Sequence, residues 1–213
     1  MKVKFTVNKE AFVRELKKSL SSKNSAKNFE RNIKSSDGQL LSKNIEKVKK
    51  NMIQAFLKLP VTQEIMGGPD ASNISGTLGG YGNLFSFIGF SEGDDPIAPI
   101  ISLLEQTSYR FTNMSKQGSL QVIVTMPSAK DIFSVTPLPW APGISWAKGI
   151  EVKLSGLGQY LQKSSPASRS GGGIQIDNRV RAGGFRNTTY ISNFINVWKK
   201  EFLNLSKGVS VSS

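Results

Sequence analysis

The first seven residues alternate. Met1, Val3, Phe5 and Val7 share one side, and Lys2, Lys4 and Thr6 the other. That period predicts a half-buried strand with its lysines toward water. Asn8 is placed to cap a following helix, in which Phe12, Leu16 and Leu20 recur at every fourth position. Residues 21–38, SSKNSAKNFERNIKSSDG, are polar and low in complexity. They read as a linker or mobile loop with a weak helical turn around Phe29 and Ile33. The strongest periodic signal follows: Leu41, Ile45, Val48, Met52, Ala55, Phe56 and Leu59 mark one helix face, and Lys43, Lys47, Lys49, Lys50 and Lys58 lie off it. Pro60 is expected to stop this helix, and Thr62 to open a short turn ending at Gly67 and Gly68.

The pattern then changes. Residues 66–99 are rich in glycine, with three prolines and no basic residue, and read as an extended loop. A short helix is expected over 97–107, with Ile100, Leu103 and Leu104 inward. SLQVIVTMP (119–127) is a strand with Leu120, Val122, Val124 and Met126 on one face, closed by Pro127. Residues 127–148, which contain VTPLPWAPGISW, read as a second extended segment leading into a strand at 149–155. A flexible connection (163–173), a strand (173–181), a helix (188–205) and a frayed tail (206–213) complete the chain. In that helix Ile191, Phe194, Ile195, Trp198, Phe202 and Leu205 form the apolar stripe. The expected fold is α+β: one domain over 1–213, with a small, mainly antiparallel sheet, N- and C-terminal helices packed on it, and long Gly/Pro-rich loops.

Composition narrows the chemistry. The 213 residues include no Cys and no His. This removes disulfides, thiolate nucleophiles and Cys/His zinc sites, and it removes the side chain best suited to proton transfer near neutral pH. No cofactor, metal or small-molecule substrate is expected. No apolar run approaches the ~18 residues of a membrane helix, and the N-terminus has no apolar signal core. The net charge of +13 is unevenly placed. Residues 1–60 hold 15 basic and 5 acidic residues, 61–108 hold six acids and no Lys or Arg, and 109–213 hold 13 and 4. Basic ends suit nucleic acid; an acidic middle suits a neighbour's basic face.

SGTLGGYGNLFSFIGF (75–90) is the segment on which function turns. A phosphate loop needs a lysine and Ser/Thr after its second glycine, and here Asn83 follows Gly82. The dinucleotide frame fails at Phe85, which stands where a third glycine belongs. NLFSFIGF is apolar on both faces if read as alternating, so it is buried on both, in its own fold or against a neighbouring subunit. Leu78, Tyr81, Leu84, Phe85, Phe87 and Phe90 are the interface candidates here, joined by Trp140 and Trp146 among the prolines; core packing is the alternative for each. Glu92, Asp94 and Asp95 read as an acidic turn before Pro96. Arg169, Arg179, Arg181 and Arg186, beside glycines and Phe185, are the nucleic-acid candidates. No convergent acid and base can be named for a hydrolase.

FLKLPVTQEIMGGPDASNISGTLGGYGNLFSFIGF (56–90), with SGTLGG at 75–80, resembles a segment of tailed-bacteriophage neck and tail-completion proteins, the HK97 gp10-like class. GGFRNTTYISNFINVWKKEF (183–202) fills the place of that class's aromatic-rich C-terminal helix after a glycine turn. The resemblance implies a virion component without enzymatic activity, assembled in the host cytoplasm. It implies a homo-oligomeric ring, commonly of six copies, that contacts neighbouring virion proteins as tail terminator or head–tail connector. A baseplate component, or a basic structural protein contacting DNA, is the alternative.

Overall fold

The computed structural model describes residues 1–8, 25–79, 82–112, 119–152 and 186–205. The fold is α+β, with helices and small antiparallel sheets. The chain divides into two compact units. The first takes in residues 1–52, 104–126 and 196–213; the second takes in 53–103 and 127–195.

In the first unit, β1 (Lys2–Asn8), β2 (Ser108–Thr112) and β3 (Ser119–Thr125) form a sheet in the order β1-β3-β2. Both pairings are antiparallel, running from Lys2↔Thr125 to Asn8↔Ser119 and from Ser108↔Thr125 to Thr112↔Gln121. Val3, Phe5, Val122 and Val124 form the buried face, as the alternation at both strands predicts. Ile123, on the opposite face, is buried as well. It stands directly between Lys4 and Arg110 on the flanking strands, where their aliphatic stems can cover it. β2 was not anticipated, although SYRFT alternates strictly, and Tyr109 and Phe111 pair in register with Val124 and Val122.

α1 (Ser25–Leu57) is one continuous helix. Residues 25–38, expected within a linker or mobile loop, are its first turns. Extending a helix costs far less than nucleating one, so a polar stretch without proline continues the strong segment that follows it. Leu41, Ile45, Val48 and Met52 are buried in the first unit and Phe56 in the second. The helix ends at Leu57, before the expected Leu59. Leu59 is extended (φ −63°, ψ 134°), as a residue before proline favours, and Pro60 opens the next helix, α2 (Pro60–Met66), at its first position.

The stretches read as extended loops hold regular structure. A 3-10 turn (Gly68–Asp70), α3 (Leu84–Ile88) and the start of α4 (Ala98–Glu105) fall in 66–99. In 127–148 lie α5 (Ala129–Ser134) and the hairpin of β4 (Pro137–Leu138) with β5 (Ala141–Ser145). α6 (Trp146–Val152) starts in the same stretch. α6 replaces the first part of the strand expected at 149–155. Trp146, Ala147 and Ile150 are buried at helical spacing, and period 3.6 prevails over period 2. α4 buries Ile100 and Leu104 as expected, and Leu103 is half-buried. α7 (Ile191–Asn204) begins slightly later than expected and buries Ile191, Phe194, Ile195 and Phe202 on its stripe. The expected helix over 9–20, the connection and strand of 163–181 and the tail 206–213 lie outside the described residues.

Candidate functional site

α2 exposes Gln63 and Met66 and buries Val61, Thr62, Glu64 and Ile65. Glu64 is thus a carboxylate on an apolar face with no surface exposure. Its Oε2 accepts the Ser75 N–H at 2.9 Å and its Oε1 accepts the Leu84 N–H at 2.7 Å. One buried side chain therefore closes both ends of the 75–84 segment. Within it, Thr77 and Leu78 are fully buried. The Thr77 carbonyl accepts the Arg186 N–H at 2.9 Å, which fixes the approach to α7.

Glycine serves backbone conformation here. Gly76 and Gly82 have φ of +65°, and a Cβ at either would meet nothing within 4 Å. Within the chain, positive φ is what these positions require.

The same geometry denies the Ser75 and Leu84 amides to a phosphate cradle. Such a cradle needs free backbone N–H groups. Glu64 already occupies those of Ser75 and Leu84, and its carboxylate would stand beside any bound anion. The N-terminus of α3 is also capped, since Asn83 Oδ1 accepts the Ser86 N–H at 2.9 Å.

NLFSFIGF is a helical turn and not an alternating strand. Leu84, Phe85, Phe87 and Ile88 are buried while Ser86 is exposed. Gly89, at φ 91°, ends the turn in left-handed conformation, and the Phe90 N–H reaches back to the Phe85 carbonyl at 3.2 Å. Aromatic contacts run through the second unit. They link Phe85 to Phe90 (5.4 Å between ring centroids), Phe90 to Trp146 (5.9 Å), Trp146 to Tyr190 (6.4 Å), and Phe56 to Tyr190 and Phe194 (5.9 and 5.3 Å).

The interface candidates fall as follows in the chain. Leu78, Leu84, Phe85, Phe87 and Trp146 are buried within the chain itself; α3 gathers Leu84, Phe85 and Phe87 onto the core, and α6 places Trp146 there. Phe90 and Trp140 are half-buried. Trp140 donates its indole N–H to the Ile88 carbonyl at 3.1 Å, tying the β4–β5 turn to the end of α3. Tyr81 lies outside the described residues, as do Arg169, Arg179 and Arg181. Arg186 is exposed.

Two further polar contacts organise this unit, and sequence reasoning missed both. The Thr62 and Tyr190 hydroxyls meet at 2.7 Å in full burial. Burial pushes the Tyr190 hydroxyl far above the ordinary phenol range, against a smaller opposing pull from Thr62. At the end of α6, Glu151 accepts the N–H and the hydroxyl of Ser192, both at 2.6 Å, and so caps the first turn of α7. The signal for Glu64 was present in the sequence: an acid amid apolar residues, in a stretch with no Lys or Arg to pair it.

Among the described residues, no group of three or more Asp/Glu side chains is placed to hold a metal ion, and no helix is long and apolar enough to cross a membrane. Comparison with protein-family models, with curated proteins and with solved structures finds no match.

Proposed function

We propose that this chain is a non-enzymatic structural protein of a tailed-bacteriophage virion, built into the neck or tail end as a homo-oligomeric ring. Tail completion, tail termination and head–tail connection are the roles that fit. The observation that carries the reading is the Glu64 clasp. The segment that bears the resemblance is held from beneath by a buried carboxylate with a backbone donor on each oxygen. Glu151 likewise has both oxygens engaged, by the N–H and the hydroxyl of Ser192. These acids act as fasteners of turns and helix ends, which suits a scaffold better than a reaction centre.

Imaging of assembled particles tests the reading. It expects several copies of this chain in a closed ring at the head–tail junction or the tail end. Particles that lack the chain, or a purified chain that turns over a substrate, would overturn it.

The second reading, a DNA-contacting structural protein, is favoured by the exposed lysines of α1 and by Arg186. It expects binding to duplex DNA that weakens steeply with salt.

A further inference from the structure

Charge is segregated among the described residues. Those of the first unit hold twelve Lys/Arg and five Asp/Glu; those of the second hold four and seven. Residues 153–185, outside the described part, add five cations and one acid. Between Lys58 and Arg110 the sequence has no cation and six acids.

Two exposed features follow from this. On α1, Lys43, Lys47 and Lys50 lie at helical spacing and are all exposed, with Glu46 the one acid among them. In the second unit, Asp70, Glu92, Asp94 and Asp95 are exposed. Met66 and Ile74 are exposed in the same cation-free span, at 55% and 52%. The Asn83 side chain donates to the Pro69 carbonyl at 2.6 Å, joining the 3-10 turn to α3, from which the 91–95 turn follows directly.

We propose that the lysine face of α1 (Lys43, Lys47, Lys50) docks on the acidic and apolar 66–95 surface of a second copy of this chain. Lysine suits both parts of that surface. Its ammonium pairs with the carboxylates, and its four-carbon stem lies along Met66 and Ile74. The contact is heterologous: each copy keeps one lysine face and one acidic surface free for the next copy. Repetition gives a ring where the rotation closes. The inference rests on the ring reading above and names the surfaces that would make it.

The test is sedimentation of the full chain across concentration and salt, with two charge-reversed variants. One carries Lys43→Glu, Lys47→Glu and Lys50→Glu; the other carries Asp70→Lys and Glu92→Lys. Asp94 and Asp95 are left intact because they accept backbone N–H groups of their own turn. The parent should associate, more weakly at high salt. Each variant alone should associate on the order of a hundredfold more weakly, and a mixture of the two should recover. A parent that stays monomeric overturns the ring reading and this contact with it. A parent that assembles while both variants assemble equally well overturns the contact alone. So does a lysine-reversed variant that loses binding to a short DNA duplex yet self-associates as the parent does.

Discussion

At the residue scale, the second unit depends on two buried polar arrangements. Glu64→Gln keeps the shape of the side chain but replaces one acceptor oxygen with a donor, so the Ser75 or the Leu84 N–H then faces another N–H. A loss of about 2 kcal/mol in unfolding free energy is expected, read by denaturant titration. Tyr190→Phe leaves the Thr62 hydroxyl buried and alone, at about 1–2 kcal/mol, and Thr62→Val does the same to Tyr190. The double variant should cost clearly less than the sum, because neither orphan remains. Tyr190 also sets a pH dependence. Its folded form keeps the phenol proton above pH ~10, where the unfolded chain loses it. The unfolded state then binds fewer protons, so stability is intact below that pH and falls above it, by at most about 1.4 kcal/mol per pH unit. Tyr190→Phe should lack this component. Tyrosinate absorbance should show one tyrosine of the four ionising only as the unit unfolds.

At the element scale, elements whose period was unambiguous were legible in the sequence. β1, β3, the 41–57 part of α1, α4 and α7 bury most of the described positions on the stripe that their spacing picks out, with Ala55, Leu103 and Trp198 half-buried. Short elements were not. α3 has five residues and α6 seven, too few for period 2 and period 3.6 to separate where most positions are apolar. End signals carry more information there. Asn83 and Gly89 bracket α3 as cap and left-handed terminator, and Ser128 with Asp131 forms a reciprocal cap on α5. Gly89→Ala puts a Cβ into the left-handed region at φ 91° and should cost about 1 kcal/mol. Glu151→Gln should loosen the first turn of α7, read as faster amide exchange at Ser192 and the residues after it.

At the scale of the whole molecule, the α+β class followed from element order, whereas the site did not. That the glycine segment fits neither phosphate motif was legible, since its spacing breaks both. What held it was hidden, because the clasp joins Glu64 to residues 11 and 20 positions away and no local pattern encodes such a contact. Burial of Phe85, Phe87 and Trp146 moves the expected docking role away from aromatic anchors and onto the exposed charged surfaces. The proposed role is assembly with copies of this chain. The mass of the purified full chain, measured by light scattering over a range of concentrations, tests it most directly. One discrete multi-copy species that dissociates as the chain is diluted or the salt raised is the expected result. A single monomeric species at every concentration and salt would contradict it.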